Sequence, residues 1–174
     1  MTELVVLASP EGKPAGTADK AAVHTADTPL HFAFSAWVVR DGQLLLTRRA
    51  LSKLTWPGVW TNSFCGHPGP DEPTGDAVVR RGRFELGLTG TPRLVLPDFA
   101  YRAVDSSGVV ENEVCPVFSA RMAPGVELDP NPDEVDSWAW VEPLQLIRAA
   151  EATPFAFSPW LVEELADERL RDAL

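Results

Sequence analysis

The chain has 174 residues, the size of one ordinary domain, and is 45% apolar and 23% charged, a globular composition and not a disordered one. A formal charge of −10 argues against nucleic acid as the main partner, so an anionic ligand has to be met by a local basic cluster or by metal ions. No apolar run approaches a membrane span, and the start Met1-Thr2-Glu3-Leu4 has no basic region before its short apolar run, so neither a membrane anchor nor a signal peptide is expected and the cytoplasm is the expected location.

Leu4–Ala8 reads as a strand that leaves through a turn at Pro10, Gly12 and Pro14. Phe32–Arg40 and Gln43–Arg49 read as a hairpin about Asp41-Gly42, and the first of the two is apolar on both faces, which suits a central position in a sheet. Helical spacing over Asp76–Leu86 ends at Gly87, a residue able to cap it. Leu94–Val104 and Val109–Met122 read as two strands joined by Asp105-Ser106-Ser107-Gly108. Val135–Val141 is a further strand with Trp138 and Trp140 on one face, Pro143–Glu151 begins a helix, and Pro159–Leu174 is a final amphipathic helix with Trp160, Leu161, Leu165 and Leu170 on its apolar side. There is no repeat and no internal linker, so the expectation is a single domain, 1–174, of α/β or α+β class with a mixed sheet in layers with helices.

Chemistry-bearing residues fall into a few short segments. His24 and His31 close the segment His24-Thr-Ala-Asp-Thr-Pro-Leu-His31, and His67 follows Cys65-Gly66. Neutral imidazole suits ions such as Zn²⁺ or Mn²⁺, although this spacing matches no zinc-finger pattern. Glu111-Asn112-Glu113 lies inside an apolar strand, where residues two apart share a face. Two carboxylates in such a strand are costly unless a metal or a proton compensates them. Cys65 and His67 can also share a face, which sets a thiol beside a candidate metal site as ligand, nucleophile or acid–base group; Cys115 reads as a small buried residue. Two cysteines make no disulfide framework. Arg48, Arg49, Lys53, Arg80, Arg81 and Arg83 are six of the fifteen basic residues and form the local cationic cluster that an anion would need.

From Gly66 to Leu88 the chain resembles the Nudix box, G-x5-E-x7-R-E-U-x-E-E-x-G-U, where U is bulky and apolar. Gly66, Glu72, Arg80, Glu85, Gly87 and Leu88 stand at the right spacings, whereas Arg81 and Phe84 replace two glutamates and Gly82 replaces the apolar residue. In Nudix hydrolases those glutamates hold Mg²⁺, so these departures weaken a hydrolase reading. They resemble one branch of the superfamily, the type I isopentenyl-diphosphate isomerases, as do His24-Thr25-Ala26-Asp27-Thr28, Thr47–Lys53, Trp56–Ser63, Cys65-Gly66-His67-Pro68, Glu111–Pro116 and Ala156–Trp160. The resemblance implies a Nudix fold, a mixed β-sheet sandwiched between helices. It implies a divalent metal, Mn²⁺ or Zn²⁺, on His24, His31, His67, Glu111 and Glu113, and a Mg²⁺ that arrives with the diphosphate and is assisted by Glu85. It implies diphosphate contacts from Lys20, Arg49, Lys53 and Arg81. Gly82 matches no functional position, and in a helix it costs roughly 1 kcal/mol relative to Ala.

The implied reaction converts isopentenyl to dimethylallyl diphosphate. No carbonyl acidifies the carbon that loses its proton, so protonation of the alkene to a tertiary carbocation comes first and loss of a neighbouring proton follows. Glu113 assisted by Tyr101 is assigned to one face and Cys65 to the other, with Glu113 and Tyr101 favoured as donor, a Cys65 thiolate as acceptor, and the reverse order left open. Trp160 is the candidate aromatic face for the cation, worth ~2 kcal/mol or more when desolvated. A small prenyl diphosphate is thus the expected partner, with oligomeric state open and a monomer sufficient. The alternatives are a Nudix diphosphate hydrolase and a non-catalytic metal- or diphosphate-binding module.

Overall fold

The computed structural model describes residues 3–174; Met1 and Thr2, part of the N-terminal reading, lie outside the described residues. In chain order the strands and helices are β1 Leu4–Ala8, β2 Pro14–Asp19, α1 Lys20–Val23, β3 His31–Phe32, β4 Phe34–Arg40, β5 Gln43–Arg49, β6 Trp60–Thr61, β7 Phe64–Gly66 and α2 Thr74–Leu86. They continue as β8 Arg93–Leu96, β9 Ala100–Val104, β10 Val110–Val114, β11 Val117–Arg121, β12 Val135–Val141, α3 Pro143–Ala152, a 3-10 turn at Pro154–Ala156, α4 Pro159–Ala166 and α5 Glu168–Arg171.

Two mixed sheets result. The larger runs β12-β5-β4-β11-β8, with β6 paired to β5 and β7 to β4; the smaller runs β2-β1-β3-β10-β9. β4 lies between β5 and β11 and is buried along all but its last residue, as its apolar pattern demands. Its alternation divides the core. Trp37 and Val39 face one side and pack with Leu146, Ile147, Leu161, Leu165 and Leu170 of the three C-terminal helices. Phe34, Ala36 and Val38 face the other side and pack with Ala77, Val78 and Leu86 of α2. The large sheet is thereby sandwiched between helices, as the resemblance implied.

Turns follow local chemistry. Asp41 and Gly42 both have positive φ, 51° and 78°, the geometry of a two-residue hairpin turn. Gly87 closes α2 with φ 68° and donates its N–H to the Arg83 carbonyl, while Leu88 N–H reaches Gly82 O.

Three expectations need correction. Each of the three long strands read from the sequence is broken in two. The breaks fall at Ala33, at Pro97 to Phe99, and at Cys115-Pro116, and at each the chain crosses from one sheet to the other. Pro97 and Pro116 have no N–H to give a ladder, which allows the chain to leave one sheet there. The final helix is also interrupted: Asp167 is extended (ψ 120°) and its carboxylate accepts the Arg169 N–H, starting α5 afresh. Pro14, read as part of a turn, begins β2, which pairs antiparallel with β1. Among the described residues no helix is long and apolar enough to cross a membrane.

Candidate active site

The sheet crossings place chemistry at the seam between the two sheets. β10 pairs parallel with β3 and antiparallel with β9, so Glu113 lies in register with His31 on one side and with Tyr101 on the other. β7 pairs with β4 through Ser35 and Cys65, which brings Cys65 and the following His67 to the same seam. His24 ends the short helix α1. A cavity of about 570 Å³ opens here, lined by Lys20, His24, Arg49, Lys53, Leu54, Thr55, Cys65, His67, Arg81, Tyr101, Glu111, Glu113 and Trp160, with Glu3 and Asp19 among the remaining lining residues.

One wall is a nitrogen–oxygen cluster. His24, His31, His67 and Glu113 each offer a ligand atom within 4.8 Å of the others. His31 Nε2 is 3.3 Å from His67 Nε2, and Glu113 Oε1 is 3.4 Å from the first and 3.2 Å from the second. His31 Nδ1 donates to the Pro29 carbonyl at 2.9 Å, which turns its Nε2 toward the cluster. His24 Nε2 and His67 Nδ1 are buried without a hydrogen-bond partner. His24 Nε2 does lie 3.2 Å from Glu111 Oε2, close enough for charge but not aligned for a hydrogen bond. The Nε2 atoms of His31 and His67 meeting Glu113, with the unpartnered His24 Nε2 close by, fit a divalent cation that takes nitrogen and oxygen donors. Glu111 stands at the edge of this group and also accepts from Thr55 Oγ1 at 2.7 Å, a partner the sequence did not single out.

Charge states follow from this packing. Burial disfavours the Glu113 carboxylate, but hydrogen bonds and charge from His31 and His67 outweigh it and hold Glu113 well below the usual range. Burial is the largest single influence on His31 and lowers it, but the hydrogen bond and charge of Glu113, the Pro29 carbonyl and the Glu111 charge together outweigh it, so His31 is pushed up, whereas burial dominates at His67 and pushes it down. Tyr101 Oη donates to Glu113 Oε2 at 2.9 Å, and burial raises its phenol well above its ordinary value. Cys65 is likewise driven far up by burial, with the Glu164 charge adding to it.

Another part of the lining is aromatic. Trp160, on α4, is 2% exposed, with its ring 5.6 Å from Tyr101 and 5.4 Å from Trp56. The Arg49 guanidinium lies 5.6 Å from the Trp160 ring and is held by the carbonyls of Thr55 and Trp56.

Three of the basic residues that line the cavity are already paired. Lys20 binds Glu3 at 2.8 Å. Lys53 and Arg81 share Glu134, one on each carboxylate oxygen, Arg81 at 3.2 Å. Arg81 also binds Glu85 at 2.5 Å, one turn along α2. Glu85 therefore sits behind Arg81, apart from the histidine cluster, and does not line the cavity. Glu134 carries no motif signal; only its place opposite Lys53 and Arg81 reveals it. Gly82 also finds its reason here. A Cβ at Gly82 would come within 3.1 Å of Phe64 Cζ, so its absence lets α2 close onto β7, next to Cys65.

A family model of the Nudix domain matches residues 29–161. The isopentenyl-diphosphate Delta-isomerase of Corynebacterium glutamicum is 59% identical, over 99% of this chain and 94% of the relative. Those of Clavibacter sepedonicus and of Escherichia coli are 61% identical (94% of this chain, 86% of the relative) and 54% identical (99% and 95%). Among solved structures, a protein from Deinococcus radiodurans superposes with a TM-score of 0.67 at 19% identity, covering 86% of this chain and 90% of that one. A MutT protein from Methanosarcina mazei superposes equally well at 18% identity, covering 83% and 96%; at such identities the likeness is one of fold. The chain belongs to the Nudix superfamily and, within it, to the type I isopentenyl-diphosphate Delta-isomerases.

Proposed function

We propose that the chain, acting as one domain over residues 1–174, interconverts isopentenyl and dimethylallyl diphosphate by proton addition and removal in the seam cavity. The relatives at 54–61% identity carry the reaction. The observation that supports the residue roles is the cavity itself, whose lining includes Glu113, Tyr101, Cys65 and Trp160, with Lys20, Arg49, Lys53 and Arg81 also on its surface.

In this reading Lys20, Arg49, Lys53 and Arg81 hold the diphosphate. Three of them are paired with Glu3, Glu134 and Glu85, so the incoming anion has to compete with or displace those carboxylates. The C5 chain lies against Tyr101 and Trp160. Glu113 with Tyr101 serves one face of the alkene and Cys65 the other. Trp160 offers its face to the tertiary cation, worth ~2 kcal/mol or more once water is excluded. His24, His31, His67 and Glu113, with Glu111 at the edge, would hold a divalent cation, Mn²⁺ or Zn²⁺. Such a cation supplies charge that makes a carboxylic acid bound to it a stronger proton donor. A Mg²⁺ accompanying the diphosphate would draw on Glu85, which requires Arg81 to release it.

The resting charges bear on the order of transfer. With Glu113 held low and Cys65 held high, the proton rests on sulfur and not on the carboxylate. Donation from the Glu113 and Tyr101 face therefore requires the proton distribution to be reversed when the charged ligands bind.

Turnover of isopentenyl diphosphate in D₂O tests the whole reading. Dimethylallyl diphosphate carrying solvent deuterium is expected, with loss of about 10²–10⁴-fold for Cys65→Ala and for Glu113→Gln. Wild-type rates in both variants sink the assignment. The order is read from recovered substrate. Deuterium washed into its terminal methylene by Cys65→Ala puts the first proton on the Glu113 side, and the same wash-in by Glu113→Gln puts it on Cys65.

A further inference from the structure

Behind the reactive wall lies a buried amide that touches two of its members. Asn62 joins β6 to β7, is fully buried, and has no charge or reactivity of its own. Its Oδ1 accepts from Cys65 Sγ at 3.4 Å, from Trp160 Nε1 at 2.9 Å and from Thr61 Oγ1 at 2.7 Å. Its Nδ2 faces Ser35 Oγ at 2.8 Å, Phe64 O at 2.9 Å and Ala36 O at 3.0 Å. The donors anchor the amide to β4 and β7, and the oxygen then presents one acceptor to the thiol and to the indole.

We infer that Asn62 is a positioning residue, which fixes the Cys65 sulfur and the Trp160 ring relative to each other through a single carbonyl oxygen. The inference rests on the roles given above to Cys65 and Trp160.

Three features favour this over simple core filling. First, the two groups come from far-apart parts of the chain, 3 and 98 residues away from Asn62, and among the described residues no other side chain is hydrogen-bonded to both. Second, this acceptor holds the Cys65 sulfur in one position, and a group that exchanges a proton with a substrate carbon has to be set at that carbon and not merely near it. Third, α4 is clamped beside the same point. The Ser158 N–H donates to Trp60 O at 2.9 Å, and Ser158 Oγ lies 2.8 Å from Thr61 Oγ1. The start of α4 and the β6–β7 connection thus form one unit, with Asn62 as its polar centre. A thiol free to rotate, or an indole free to tilt, would leave the cation formed but not drained forward.

The consequence is a partition. With thiol and ring aligned, the carbocation proceeds to product; with alignment lost, it returns to substrate more often or is captured by water as the tertiary alcohol diphosphate. The test is turnover of isopentenyl diphosphate in D₂O by Asn62→Ala, using protein shown to be folded by near-UV circular dichroism. The expected result is a kcat reduced by about 10²-fold, the scale of an ångström-sized misplacement. KM should stay within roughly twofold, because the diphosphate residues are untouched. The ratio of deuterium in recovered substrate to deuterium in product, together with any tertiary alcohol, should rise. Folded Asn62→Ala with a wild-type ratio and kcat overturns the inference, as does a matched rise in KM with the ratio unchanged. Should that variant not fold, Ser35→Ala removes one anchor of the amide and is expected to move the same ratio by a smaller factor; an unchanged ratio in folded Ser35→Ala then overturns it. Cys65→Ala run alongside separates the two readings. A fully active Cys65→Ala defeats the role of the thiol, whereas an inactive Cys65→Ala beside an unaffected Asn62 variant defeats only the positioning role.

Discussion

Glu164 shows how a single buried group reports on the interior. It lies on α4, is fully buried, accepts from Trp37 Nε1 at 2.7 Å, and leaves its other oxygen without a partner. Burial, with the charges of Glu113 and Glu163, raises its carboxyl to about 8. The folded chain therefore keeps a proton that the unfolded chain releases above the ordinary value of 4.5. Stability contributed by that proton is lost as pH rises from about 4.5 to about 8 and changes little beyond. Glu164→Gln keeps an acceptor for Trp37 and cannot ionise. Its thermal midpoint should match wild type near pH 5 and exceed it progressively up to pH 8.5, by an amount worth a few kcal/mol. Melting curves that shift equally at both pH values would refute this. Helical spacing from Trp160 and Leu161 sets Glu164, unlike Glu163, on the apolar stripe of α4, but its full burial is a property of the packed helix.

At the level of elements, α2 is where sequence and packing meet most closely. Its buried residues, Ala77, Val78, Arg81, Gly82, Glu85 and Leu86, form one stripe, so the two box positions that differ most from a hydrolase, Arg81 and Gly82, face inward. Phe84, the third departure, is 53% exposed, with the Arg81 guanidinium 4.9 Å from its ring. Gly82→Ala gains roughly 1 kcal/mol of helix propensity. It also presses on Phe64, which is buried edge-on against Phe34 and has to shift by a few tenths of an ångström to admit the methyl. A net loss of about 1 kcal/mol is expected in chemical denaturation, since overpacking outweighs propensity here. Gly66→Ala is harsher for function. Its Cβ would come within 2.8 Å of Arg81 Cγ and 2.9 Å of the fully buried Phe34 ring, so Arg81 is the group that yields. KM for the diphosphate should rise roughly tenfold, the scale of one charge-assisted hydrogen bond, with kcat changed much less. An unaltered KM would show that Arg81 does not depend on this contact.

Across the whole molecule, the histidine and glutamate cluster joins α1, β3, β10 and the segment after β7, so a cation bound there ties both sheets together. Binding that favours the folded state adds about 2.7 kcal/mol at a hundredfold excess over Kd. Chelator-treated protein should accordingly melt several degrees lower, and Mn²⁺ or Zn²⁺ should restore the midpoint in the wild type but not in His67→Ala. A midpoint indifferent to both chelator and metal would count against the site. His24 precedes the stretch matched by the Nudix model, residues 29–161, so the histidine and glutamate cluster reaches beyond that stretch.

How far the sequence reached can be judged from particular residues. Local features were legible: the Asp41-Gly42 turn, the helix ending at Gly87, and the alternation that made β4 central, because each depends on residues close in the chain. The residue types of the site were legible too, since His, Glu and Cys in apolar strands are chemically conspicuous, and the run of motifs pointed to the family to which the chain belongs. What the sequence alone could not decide was which long strands divide. Pro97 and Pro116 permit two of the breaks, but that the chain changes sheet there and at Ala33 becomes visible only when the three crossings align on one seam. Nor could it decide who stands beside whom. The pairing of Glu113 with both His31 and Tyr101 is a matter of register between strands up to 82 residues apart, and Asn62 and Glu134 acquire meaning only from their neighbours. Composition, local turns and reactive residue types are short-range properties that the sequence determines by itself, whereas burial, strand register and the charge state of Glu113, Cys65 and Glu164 depend on contacts that form only when distant segments pack.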